Sequence, residues 1–200
     1  MNKKQKKNNL AIEGFQWSLL SQIKVILQWK APVDLDLQIC YSPKKPLPGF
    51  FRVVGRAIVF FFRFKHNWLP GEGVISYLNN GSKVKYPFIW FYKDKGIEDV
   101  GGKKQEEIVI TSFASLAHAL IVVNIFSKTF ANFSNYDGKV IIKNKEQEVV
   151  IPLTSGEIGS YYIVAHIDNT GPQLVINKIN EVLQDYPTIA EFLKSRESKN

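Results

Sequence analysis

Alternation with a period of two runs through most of this chain. Ile23, Val25, Leu27 and Trp29 fall on one face of an extended segment, opposite Lys24, Ile26, Gln28 and Lys30, which predicts a half-buried strand. After Ala31-Pro32 the pattern resumes: Val33, Leu35, Leu37, Ile39 and Tyr41 share a face, with Asp34, Asp36, Gln38 and Cys40 on the other. Further strands are predicted over 56–64, 74–78, 86–92, 107–111, 119–126, 139–143, 148–153 and 161–167. Turn chemistry separates them. Asn79-Asn80-Gly81, Asn135-Tyr136-Asp137-Gly138, Lys143-Asn144-Lys145, Ser155-Gly156 and Asp168-Asn169-Thr170-Gly171-Pro172 are rich in residues that tolerate tight or left-handed backbone.

Short strands at such intervals, with no long helical period between them, predict an all-β, two-sheet β-sandwich rather than βαβ units. The expected core is Val25, Leu27, Leu35, Leu37, Ile39, Ile89, Phe91, Ile108, Ile110, Val122, Ile141, Ile163 and Ala165. At the C-terminus Pro187 suits a first helical position, and Ile189, Phe192 and Leu193 would share a helix face. Residues 173–184 fit strand and helix equally. The organisation expected is a basic arm over 1–20, a sandwich over 21–170 with an insertion at about 43–72, and an extension over 171–200 with a short helix.

Charge sharpens this division. The chain has 200 residues and a formal net charge of +8. Lys3, Lys4, Lys6 and Lys7 crowd the N-terminus, and Lys44, Lys45, Arg52, Arg56, Arg63 and Lys65 follow one another with no acid between. The segment 50–68 interleaves these cations with phenylalanines and Trp68, a composition suited to a membrane surface or an acidic partner, or to a buried strand with charged ends. A single cysteine, Cys40, excludes an internal disulfide and any multi-thiolate metal site. No apolar run reaches the length of a membrane span, and the charged N-terminus is not followed by an apolar secretory region, so a cytoplasmic location is expected.

Candidate chemistry concentrates in one loop. Between the apolar runs Tyr86–Tyr92 and Ile108–Ile110 lie Asp94, Glu98, Asp99, Glu106 and Glu107 with Gly96, Gly101 and Gly102. Hard oxygen ligands on a backbone that glycine frees to wrap are what Ca²⁺ needs. Asp34 and Asp36 on one strand face are placed to complete such a site from the side, giving Asp34, Asp36, Asp94, Asp99 and Glu106 as candidate side-chain ligands. Enzymatic chemistry finds less support. No GxSxG, HExxH, P-loop or CxxC occurs, and adjacent Glu106 and Glu107 in a strand would point to opposite faces, a poor acid–base dyad. His118 and His166 read as strand-end or core histidines satisfied by hydrogen bonds, and the acids beside Cys40 would raise its pKa.

WKAPVDLDLQICY, GVISYLNNGS, YPFIWFYKDKGIEDVGG, EEIVI and FANFSNYDGKVII resemble, in order and spacing, the TerD-like tellurium-resistance domain of bacterial stress response, with the nearest likeness to its TerA-type branch. The likeness runs from about Ile23 to about Ile167. Its most specific elements are the DLD strand, the acidic glycine-rich loop closing on Glu106-Glu107, and Phe133-x-x-Tyr136-Asp137. The resemblance implies a calcium-binding β-sandwich with no catalytic activity, acting with other stress-response proteins of its type in the cytoplasm or peripherally at the inner membrane. Nucleic acid is not an expected partner. One departure bears on the metal: where the family's loop usually reads Gly-Asp-Asn-Glu-Glu or Gly-Asp-Asp-Glu, this chain has Lys103, Lys104 and Gln105. A cation in place of a carboxylate exchanges attraction for repulsion near a divalent ion. The alternative function is a metal-independent module that docks on a membrane surface or acidic partner through residues 50–68.

Overall fold

The period-two segments pair into two antiparallel sheets whose inward side chains form the core. The computed structural model describes residues 14–17, 22–30, 33–44, 71–93, 104–125 and 131–198. The strand expected at 56–64, the surface assigned to 50–68, and Asp94 and Asp99 lie outside the described residues. The strands are β1 (Gly14–Trp17), β2 (Ile23–Trp29), β3 (Leu35–Pro43), β4 (Gly73–Ile75), β5 (Ile89–Lys93), β6 (Lys104–Ile110) and β7 (Leu116–Ile125). They continue with β8 (Ala131–Asn132), β9 (Lys139–Lys143), β10 (Glu148–Pro152), β11 (Ile158–Gly159), β12 (Tyr161–Asp168) and β13 (Leu174–Leu183). A 3-10 turn covers Phe133–Tyr136, and helix α1 (Ile189–Glu197) follows the last strand.

One sheet has the order β1-β13-β12-β7-β3-β4 and the other β10-β9-β2-β6-β5, with β11 and β8 forming a separate two-stranded ribbon. The all-β sandwich expected from the alternation is what the chain forms. It also reaches beyond residues 21–170: β1 and β13 pair with each other at the edge of the six-stranded sheet, from Gly14↔Asn177 to Trp17↔Leu174. The ambiguous stretch 173–184 is therefore strand.

Parity places most of the core correctly. Val25, Leu27, Leu35, Leu37, Ile39, Ile89, Phe91, Ile108, Ile110 and Ala165 are buried between the sheets. Three assignments differ. Val122 and Ile163 are buried on the outer face of the six-stranded sheet, together with Cys40, Leu120, Ile189 and Phe192. In β9 the inward pair is Val140 and Ile142, so Ile141 faces out and is only half-buried. The reasons are physical. β7 is apolar on both faces because α1 covers one of them, so alternation carries no sign there, and β12 has a bulge between Ile163 and Ala165 that reverses which side chains face in.

Helix α1 starts two residues later than the proline signal implies. Thr188 is the N-cap: its hydroxyl accepts the Glu191 N–H at 3.2 Å and donates to the Glu191 carboxylate at 2.8 Å, so Pro187 precedes the cap. Ile189 and Phe192 are buried against the outer face and Leu193 packs beside them. Burying each such side chain contributes about 1.5–3 kcal/mol, which fixes the helix against β3 and β7 although it has fewer than three turns.

Candidate functional site

The acidic loop leaves β5 after Lys93 and returns at Lys104, at one end of the sandwich. Antiparallel pairing brings other elements to that end. β2 runs beside β6 with Trp29 opposite Lys104, and Val33, just before β3, accepts hydrogen bonds from Trp29 Nε1 at 2.7 Å and Lys104 Nζ at 3.3 Å. β3 and β7 meet there too, with Leu35 opposite Ile125. Asp34, Asp36 and Glu106 are thus gathered where the loop is anchored.

Their side chains nevertheless do different work. Ile108 and Ile110 point into the core, and Glu106, on the same face of β6, is 1% exposed. Its carboxylate accepts the backbone N–H of Leu37 on the opposite sheet. β4 pairs with β3 only from Ile39 to Tyr41, so among the described residues no strand continues beside Leu37 on this edge, and the carboxylate satisfies its backbone donor. Asp36 lies on the outer face of β3, where Asn124 Nδ2 donates to its carboxylate at 3.1 Å. Asp36 and Glu106 therefore flank β3 from two sides rather than facing each other. Glu107 projects outward and pairs with Lys24 at 2.9 Å. Lys104 turns inward, buried on the same face as Glu106. Among the described residues no three His, Cys, Asp or Glu side chains group so as to hold a metal ion.

From Asp36 a polar chain continues along the outer face. Gln38 Nε2 donates to Asn124 Oδ1 at 2.6 Å, Tyr186 Oη donates to Gln38 Oε1 at 3.1 Å, and Tyr186 Oη lies 3.2 Å from Cys40 Sγ. Burial pushes the Cys40 thiol up to about 12, against the lowering effect of the Tyr186 hydrogen bond, with Glu72 adding a smaller upward push. The thiol stays protonated, as expected, but desolvation rather than neighbouring acids is the main cause. Burial likewise raises the Tyr186 phenol well above its ordinary value.

The sequence kept His118 and His166 apart, and the sheet joins them. On the outer face His118 of β7 stands opposite Asp168 of β12 and diagonal to His166. His118 Nδ1 is 3.2 Å from His166 Nε2 and 3.7 Å from Asp168 Oδ1, and the imidazoles stack with centroids 5.3 Å apart. Phe192 of α1 meets the His166 ring edge-on at 5.1 Å. Burial lowers both histidines, His166 to about 4 with help from His118 and, to a smaller extent, Arg196. Burial pulls Asp168 upward, but hydrogen bonds from Thr170 and the adjacent imidazoles outweigh it and leave the carboxyl low. The legible signal was the spacing of His166 and Asp168 on one strand face; the pairing of β12 with β7 was not.

No protein-family model matches the chain, and no curated protein matches it significantly.

Proposed function

We propose that this chain is a non-enzymatic interaction module of the tellurium-resistance, stress-response kind, and that its acidic loop end takes calcium. The observation that carries this reading is that Asp34, Asp36 and Glu106 lie at the end of the sandwich where the loop bearing Asp94 and Asp99 is anchored, with Asp36 and Glu106 on opposite sides of β3. Hard carboxylate oxygens from a strand, a strand end and a glycine-rich loop form the donor set that suits Ca²⁺. Partners would be other stress-response proteins of the same type, in the cytoplasm or peripherally at the inner membrane.

Lys104 favours a second reading, in which the module works without metal. Its buried ammonium donates to the Val33 carbonyl beside Glu106, so a tethered cation already stands at the end where calcium would bind. Docking would then proceed through the basic, aromatic residues 50–68.

Calorimetry with calcium, and thermal melts with calcium or chelator, separate the two. A ligand that binds only the folded state stabilises it by RT ln(1 + [L]/Kd), so millimolar calcium lifts Tm if Kd is submillimolar. The calcium reading expects that lift in the parent, its loss in Asp94→Ala, and tighter binding in Lys104→Met. No heat and no lift in either the parent or Lys104→Met would leave the metal-independent module.

A further inference from the structure

Residues 77–92 form an antiparallel excursion at the β5 edge of the five-stranded sheet. Ser76 and Asn79 exchange backbone hydrogen bonds around Tyr77-Leu78, Ser82 N donates to Ile89 O at 2.8 Å, and Phe91 N donates to Asn80 O at 2.9 Å. Four of the six large hydrophobic side chains that stand exposed among the described residues belong to this excursion: Leu78 at 70%, Val84 at 80%, Tyr86 at 37% and Tyr92 at 53%. Lys83, Lys85 and Lys93 are the only charged residues from 77 to 93. Lys83 Nζ lies 3.7 Å from the Trp90 ring centroid, and Trp90 packs edge-on against Tyr92 at 4.9 Å.

The exposed residues are held in place. Thr111 Oγ1 donates to the carbonyls of Lys83 at 2.7 Å and Phe88 at 3.1 Å, and Ser82 Oγ accepts from Lys85 N at 3.1 Å. Tyr86 packs against Tyr41 at 5.8 Å and donates its hydroxyl to the Gly71 carbonyl. A segment ordered this way gives up little further conformational freedom on binding.

We propose that the 77–92 excursion is a docking surface for an anionic lipid bilayer. Aliphatic side chains at two turns gain by leaving water for the acyl boundary. Tyrosine and tryptophan suit the interfacial layer, where one end of the ring is apolar and the other wet, and Lys83 and Lys85, the only charged residues from 77 to 92, meet the negative headgroups. A single-stranded nucleic acid fits less well: Leu78 and Val84 offer nothing to phosphate, and Lys83 already covers the Trp90 face.

Flotation of the full chain in chelator, with vesicles of phosphatidylcholine alone or mixed with phosphatidylserine, tests it apart from calcium binding. The parent should float with the mixed vesicles, weakly with phosphatidylcholine, and less as salt rises. Lys83→Glu with Lys85→Glu should weaken binding by about fivefold or more per lysine. Leu78→Asp with Val84→Asp should lower it by about tenfold or more with an unchanged melt, whereas Ile158→Asp, at an exposed site elsewhere, should not. A parent that stays unbound, or an Ile158→Asp variant that loses binding equally, overturns the proposal. So does binding that needs the lysines but ignores Leu78 and Val84, which would identify an acidic macromolecule as the partner.

Discussion

On the outer face of the six-stranded sheet, Leu120, Val122, Ile163 and Cys40 are sealed beneath α1, whereas on the outer face of the five-stranded sheet Val150 and Tyr92 stand in water among lysines. Both faces belong to the same sandwich and rest on the same core. The covered face takes a thiol, a phenol and two histidines wholly or partly out of water and shifts their titration, while the open face leaves side chains such as Tyr92 and Val150 exposed. The one α-helix among the described residues decides which face serves stability and which is left for contact.

The sharpest challenge to that contrast is truncation on each side. Leu120→Ala should cost about 2–5 kcal/mol in urea unfolding, because it removes buried methyl groups beneath a helix. Val150→Ala, on an exposed position of the other face, should change stability by no more than about 0.5 kcal/mol. Equal losses would mean that the open face is covered in solution.

Acid should act on the covered face through its buried histidines. His166 titrates at about 4 in the folded chain because burial, then His118, then Arg196 disfavour its charge, while Asp168 works in the opposite direction. Its unfolded pKa is about 6.5, so below that pH the unfolded chain takes up a proton that the folded chain refuses. Stability is therefore whole above pH ~6.5 and is lost as pH falls towards 4, by on the order of 3 kcal/mol. Urea midpoints measured across this window should flatten in His166→Asn. A variant that keeps the parent's acid limb would place the sensitivity elsewhere.

A smaller effect tests the link between the sheets. Glu106→Ala leaves the Leu37 N–H without its carboxylate and should cost about 1–3 kcal/mol, with faster exchange of that amide. Unchanged exchange at Leu37 would show that the carboxylate does not hold it. The smallest effect belongs to the open face again. Lys24→Ala removes a half-exposed ion pair with Glu107 and should cost under about 1 kcal/mol, less at high salt.

Alternation read the strands well wherever one face meets the core and the other meets water, as in β2 and the first half of β3. It failed where that condition fails. β7 is covered on both faces, so Val122 looked like Val123, and the bulge in β12 moved Ile163 and Ala165 onto different sides although they are two residues apart. In β9 the run Val140-Ile141-Ile142 has no polar residue to set its phase. At the candidate site, sequence identified the carboxylates but not their bonds. That Glu106 would cap an open strand edge depends on β4 being short, and the meeting of His118 with His166 depends on a strand pairing that spans 48 residues. The inward turn of Lys104 follows from parity with Ile108 and could have been read in advance.

The pairing of β1 with β13 has a consequence for biosynthesis. Gly14 must wait for Asn177, so the six-stranded sheet cannot be finished until the ribosome has delivered β13, more than 150 residues after β1. Until then the emerging polypeptide carries an incomplete sheet with unsatisfied backbone edges, which is a template for unwanted pairing. Contacts this distant along the chain also make closure slow. Synthesis of this protein therefore has a vulnerable interval, closed only when β13 is made.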